Sequence, residues 1–427
     1  MSEDKIDRIP LTCPTLSDVY DAYRKYLYVK DTKRIDIIFA VALTRPIKGT
    51  KVWLLIIGNS GDWKSEQLVA LDDSQEVTSV QMYQGEPIET TTKVYNGNFH
   101  LISSFTPRTL ITGMKKSQDL APKLRDKVVL IPEMSQILKL PPNDKAEMWA
   151  QLRDLYDGKA SKNTGGGKNV SYDNLNVTLI GGSTQSIDSQ ILIHQDLGSR
   201  ELVWRTNLDN SDEGLDETMN KCLENEKNEV QMRDELKDIT FDFLATHKYI
   251  PMNELPPEIN QKIKRMVQYL RFLRAPAELD TFTGELLGKP HPEMPTRVYK
   301  QYIRIYYALK SLDPEYSDER ALEVLEYLTK SSCFPNRVKL FDKMLDMHTI
   351  DGLAEYTSFE LAQNVGIGRK AVTRELNVLW GCDLIIRRNE VISDNFGNER
   401  ERVKWSLNVN NSLVKSFIEK VVEEKII

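Results

Sequence analysis

From Gly58 the chain reads Gly58-Asn59-Ser60-Gly61-Asp62-Trp63-Lys64-Ser65. This spacing fits G-x-x-x-x-G-K-S except that Trp63 stands where the last glycine would be. In a loop of this kind, backbone N–H groups and the positive end of the following helix surround phosphates. The lysine ammonium reaches the outer phosphates, and the serine hydroxyl holds magnesium. Asn59, Ser60, Asp62 and Glu66 complete the candidate stretch, with Asp62 placing a negative charge beside a site for anions. A side chain at position 63 must point away or it crowds the nucleotide. The competing reading is an ordinary strand-to-helix turn with one exposed lysine, and the motif with its flanking elements favours the phosphate loop over it.

Those elements are an apolar run from Val52 to Ile57, read as a strand buried on both faces, and a helical continuation from Glu66 to Leu71. Strand, loop and helix is the order a phosphate loop requires. Upstream, Thr15 or Ser17 caps a helix carrying Val19, Tyr20, Tyr23, Tyr26 and Leu27, and a second helix spans about Ile35 to Leu43. Residues 76–80 and 94–104 have strand composition and are expected to continue a parallel sheet. Lys127 to Ile131 predicts another buried strand, followed by Pro132-Glu133. A helix follows at Ala146 to Leu155, and then a Gly165-Gly166-Gly167 tip flanked by Lys162 and Lys168 predicts a hairpin. Asn176 to Ile180 reads as a strand with Ser183 and Thr184 at its C-terminal end, the edge where open parallel sheets bind ligands. Arg200 and Arg205 lie near a domain boundary.

At 427 residues, with 40% hydrophobic and 28% charged residues, the chain has the composition of a globular protein of two or three domains. A net charge of -6 argues against coating nucleic acid with the whole surface, so any such contact is local. Cys13, Cys222, Cys333 and Cys382 lie far apart with no CxxC pairing, against a zinc site or disulfide framework. No apolar run approaches the ~18 residues of a membrane span. These features predict a cytoplasmic protein.

The order of phosphate loop, acidic strand end, helix, lysine hairpin, Ser/Thr strand end and arginine resembles the AAA+ ATPases. Within them it is most similar to ring-forming replicative helicases of the minichromosome maintenance type and of viruses and plasmids. The resemblance covers about residues 20–207 and implies an α/β P-loop core, a parallel sheet flanked by helices, that takes ATP and Mg2+. It implies that Lys64 and Ser65 bind triphosphate and magnesium, with Glu133 as the catalytic carboxylate and a second metal contact. Ser183 or Thr184 would be the polar sensor, Arg200 an arginine acting across a subunit boundary or in the same site, and Lys168, with Lys162, the DNA-touching hairpin. A homo-oligomer follows, with a hexamer as one size it allows. Trp63 and Pro132 depart from the pattern.

After a tail at 1–14 and a core at 15–208, residues 209–238 hold 11 acidic and 4 basic residues, a balance of -7, which suits a linker or solvated helix. Residues 239–334 read as a helical lid, in which Tyr299, Tyr302, Tyr306 and Tyr307 suit packing better than base stacking. In 335–427, Thr357-Ser358 caps a helix, a turn follows at Gly366-Ile367-Gly368, and a second helix runs from Arg369 to Trp380. Val372, Leu376 and Leu379 face inward there, with Arg369, Lys370 and Arg374 outward. Two strands complete what resembles a winged helix-turn-helix, with the second helix as its DNA face. Two functions fit: a DNA helicase or remodelling motor in replication, or a DNA-binding and assembly protein whose ATP site hydrolyses weakly.

Overall fold

The computed structural model describes residues 9–83, 86–95, 97–103, 106–112, 118–163, 169–188, 200–206, 211–252, 254–352, 355–393 and 399–426. The chain divides into two compact units, one of Met1–Glu254 with Lys300–Val324 and one of Leu255–Tyr299 with Leu325–Ile427.

The first unit opens with α1 (Leu16–Tyr26) and α2 (Lys33–Leu43). Thr15 caps α1 reciprocally with Asp18, satisfying backbone donors that the helix start leaves free. The sheet contains β1 (Trp53–Ile57), β4 (Phe99–Leu101), β5 (Val128–Ile131), β8 (Thr178–Ser183) and β9 (Glu201–Arg205). Its order is β4-β5-β8-β1-β9, with every neighbouring pair parallel. Trp53, Leu55 and Ile57 pack with Met148, Trp149 and Leu152 of α4 (Pro142–Tyr156). Leu54 and Ile56 alternate to the other face, where α2 meets β1 and β8. Burial on both faces is why β1 is a continuous apolar run.

The expected continuation of the parallel sheet through 76–104 is corrected. β2 (Gln75–Tyr83) and β3 (Glu86–Val94) form a separate antiparallel ribbon, with Tyr83 opposite Glu86, and only β4 joins the sheet. Two intervening residues cannot make the crossover of a dozen or so that parallel strands need. β6 (Ala160–Asn163) and β7 (Asn169–Tyr172) form a second antiparallel pair where the lysine hairpin was expected. Of the acidic 209–238 segment, residues 212–225 form α5 (Asp212–Asn225) and residues 229–238 belong to α6 (Glu229–Thr246).

Residues 300–324 add most of α8 (Thr296–Lys310) and the start of α9 (Asp318–Ser331) to this unit. They are fastened through Asp36, which is fully buried. Its carboxylate accepts from the Tyr20 and Tyr316 hydroxyls and from Arg320 Nε and Nη2, the guanidinium at 3.0 and 2.8 Å. Tyr302 and Tyr306 are fully buried, as their packing role predicts.

The second unit holds α7 (Pro257–Leu273), α10 (Pro335–Asp351), α11 (Ser358–Val365), α12 (Arg369–Gly381) and α13 (Ser412–Ile426). Its antiparallel sheet has the order β10-β12-β11, from β10 (Tyr356–Thr357), β11 (Ile385–Ser393) and β12 (Glu399–Leu407). Tyr269, Phe341 and Phe417 pack edge-on or tilted at 5.4–6.1 Å between ring centres. Arg337 donates to the Leu273 and Ala275 carbonyls at the end of α7 and to Glu375 of α12. Thr357 caps α11 with Glu360, and Gly366 ends it in the left-handed region that favours glycine.

Candidate nucleotide site

Parallel strands carry their C-terminal ends to one edge, and here the chain leaves β1 for the far side of the sheet and returns to either flank of it. Such a switch point opens the crevice in which α/β sheets hold ligands. Register puts Ile57 between Ser183 and Arg205. The loop that follows β1 is tied to both flanking strands. Gly58 N–H donates to the Ser183 carbonyl at 3.1 Å, and Thr206 N–H donates to the Ile57 carbonyl at 2.8 Å. A Cβ on Gly58 would lie 1.9 Å from Asp62 Oδ2 and 2.1 Å from Thr206 Oγ1, so only glycine allows this closure.

Trp63 takes the left-handed backbone that favours glycine, with φ +63°. Left-handed geometry costs a residue with a Cβ about 1–2 kcal/mol. The indole is half-buried, with Nε1 buried and unpartnered among the described residues. Asp62 is turned inward rather than toward solvent, and its side chain is 1% exposed. It accepts Thr206 Oγ1–H at 2.7 Å, Lys64 N–H at 3.2 Å and Lys64 Nζ at 3.3 Å, with Arg34 Nη1 at 3.8 Å. Lys64 Nζ donates to the Asn59 carbonyl at 2.7 Å, and Arg34 Nη2 to the Asp62 carbonyl at 3.1 Å. The lysine is therefore buried, not exposed on a plain turn. Asn59, Ser60 and Gly61 remain exposed, as does Ser65 at the start of its helix.

Gly181 and Gly182 bring the β5 exit against β8, since a Cβ at 182 would lie 2.4 Å from the Pro132 carbonyl oxygen and one at 181 would lie 2.4 Å from Met134 Sδ. Pro132 and Glu133 are thereby held beside the end of β8. The Glu133 carboxylate caps the following 3-10 turn, accepting Ser135 N–H at 2.9 Å and the Ser135 hydroxyl. Ser183 Oγ is buried and unpartnered among the described residues, whereas the Thr184 and Ser186 hydroxyls bond to each other at 2.6 Å. An orphaned hydroxyl beside the loop and a lysine resting on a carbonyl fit a phosphate ligand with magnesium.

Other expected site residues lie elsewhere. Glu66 faces α6, where Arg233 grips it with two bonds of 3.0 and 2.8 Å. Arg200 precedes β9 at the sheet's opposite edge, bonded to Asp157 at 2.9 Å and set over the Tyr156 ring. At that edge burial, aided by Arg304 and Lys48, pushes the Lys51 ammonium down to about 8. Within this chain Arg200 is thus not brought to the loop. Arg205 is, and it pairs bidentately with Asp188 at 2.8 and 2.7 Å. Lys162 folds onto the Pro107 carbonyl and Glu147, at 3.1 and 3.3 Å. Lys168 lies outside the described residues. Arg369, Lys370 and Arg374 lie on α12 of the second unit, all three exposed. Sequence reasoning missed Arg34 and Thr206, which no local spacing links to the loop.

No protein-family model and no curated protein matches the chain. Among solved structures it is similar to the apo A form of the NrS-1 C-terminal region at 12% identity, covering 94% of this chain and 77% of that one, with a TM-score of 0.36. It is also similar to SCCmec type IV Cch, described as an active helicase, at 12% identity, covering 96% and 73%, with a TM-score of 0.37. Both likenesses are too distant to assign any residue a role.

Proposed function

We propose that the chain is an ATP-dependent DNA helicase or remodelling motor, built on an AAA+-like core with a winged helix in its second unit and working as a homo-oligomeric ring in the cytoplasm. The observation that supports it most is the Lys64-Ser65 loop at the crossover point of a parallel sheet, with the ends of β5 and β8 alongside. In this reading Lys64 exchanges the Asn59 carbonyl and Asp62 for phosphate oxygens, Ser65 takes the metal, and Ser183 orients the attacking water. Glu133 leaves Ser135 and accepts a proton from that water. Magnesium, when bound, would neutralise charge on the outer phosphates. Arg200 would complete the site of an adjoining subunit, and Lys162 and Lys168 would touch DNA.

A second reading, a nucleotide-binding DNA-assembly protein with little turnover, is favoured by the Ser135 bonds that hold Glu133 as a helix cap. One experiment separates them: ATP binding and hydrolysis with and without single-stranded or forked DNA, for the native protein, Lys64→Ala and Glu133→Gln. The motor predicts DNA-stimulated hydrolysis, no binding in Lys64→Ala, and binding without turnover in Glu133→Gln. Binding without turnover in the native protein would select the second reading, and unchanged ATP affinity in Lys64→Ala would overturn both.

A further inference from the structure

In the second unit a tight turn lies across the outer face of α12. Leu279 and Leu286 form an antiparallel bridge, Asp280 N–H donates to the Glu285 carbonyl, and Gly284 N–H donates to the Asp280 carbonyl. Asp280 Oδ1 also accepts Phe282 N–H at 2.9 Å, Thr283 N–H at 2.7 Å and the Thr283 hydroxyl at 3.0 Å. These bonds hold the Asp280 carboxyl below its ordinary range. At the tip of this braced turn Phe282 is 91% exposed.

The turn is seated on the helix. Asn377 Nδ2 donates to the Gly284 carbonyl at 2.8 Å, and a Cβ on Gly284 would come within 2.8 Å of Arg374 Cγ. Asn377 is consequently buried. A helix that enters a major groove needs its outward face free along much of its length, yet here the turn covers α12 at Asn377 and at Gly381, where a Cβ would lie 2.7 Å from Leu286 Cδ1. What stays open is a cleft of about 470 Å³ between the turn, the start of α11, α12 and the sheet. Arg369, Arg387 and Arg402 line it against Glu285 and Glu401, and Thr283 carries its wall to Phe282. Arg369 Nε bonds Ser358 Oγ at 3.3 Å, and Arg387 lies over the Trp380 and Trp405 rings.

We infer that this cleft holds a single unpaired DNA strand, its phosphates against the arginines and a base stacked on Phe282. A cationic track beside an aromatic platform is the combination that single strands need, and it requires no free helix face. The inference rests on the DNA-binding reading above and names the form of DNA that the second unit takes.

The test uses the full chain without nucleotide, an oligothymidylate carrying one 2-aminopurine and a blunt duplex, with Phe282→Ala and Phe282→Trp. Single-strand affinity should fall about tenfold in Phe282→Ala and be retained in Phe282→Trp, while duplex affinity stays the same. Quenching of 2-aminopurine on binding should weaken with the alanine. Phe282 is exposed, so the fold should tolerate both changes. Unchanged single-strand affinity and quenching in Phe282→Ala would overturn the inference alone. A native protein that binds duplex but no single strand would do the same, and one that binds neither would also end the DNA-binding reading. A sedimentation change in Phe282→Ala without DNA, with equal DNA affinities, would make the turn a protein contact.

Discussion

Asp62 acts in the loop as an internal anion. Lys64, Arg34 and Thr206 converge on its carboxylate from three parts of the chain. Removing one member of a buried charge set leaves the others desolvated without a counter-charge, a loss that reaches about 3–5 kcal/mol. Asp62→Ala should therefore destabilise the protein by about 3 kcal/mol, read from urea midpoints at constant slope. A shift under about 1 kcal/mol would mean that the network is incidental. Lys64 and Ser65 could be singled out because the spacing that marks them falls within eight positions. Arg34 and Thr206 could not, standing 28 and 144 positions from Asp62. Nor did spacing alone foretell that Asp62 would turn inward.

At the scale of elements, β1 and the two reciprocally capped helices were readable because each carries a complete local signal. For β1 that signal is the six-residue apolar run from Val52 to Ile57, and for α1 and α11 it is a threonine with an acidic residue three positions on. β9 has only Leu202, Val203 and Trp204 between charged ends, too short an apolar stretch to declare a sheet strand. The β2–β3 ribbon shows strand composition but not pairing direction, which the two-residue connection decides. On α12, Val372, Leu376 and Leu379 are buried as the helical period requires, and Arg369, Lys370 and Arg374 lie outside that buried set. Charge and burial are therefore separable. Replacing the three basic residues by alanine should leave stability within about 0.5 kcal/mol. It should also reduce the salt slope of DNA binding by about one for each phosphate that the variant no longer neutralises. Identical affinity and slope in duplex titrations at several salt concentrations would take α12 out of the DNA interface.

For the molecule as a whole, the first unit is closed by residues distant in sequence, with Arg320 reaching Asp36 across 284 positions. Asp36 is fully buried while the Arg320 side chain is 35% exposed, so screening reduces the pair's worth. Arg320→Ala should still cost the first unit about 2 kcal/mol, because the carboxylate keeps its burial and loses its cation. Hydrogen exchange by segment would check this, with amides of α1 and α2 opening more readily and those of α12 unchanged. The sequence held no local sign of this closure, since 239–334 reads as one helical stretch although the chain crosses between units within it. That routing also bears on synthesis. Glu254 leaves the ribosome 70 residues before Val324, the last residue of the first unit. At about 5–20 residues per second this is roughly 4–14 s. Until Arg320 follows, 66 residues after Glu254, Asp36 has emerged while its later partners Tyr316 and Arg320 have not both done so, and the nascent chain is left with a polar group whose full set of partners only later translation supplies.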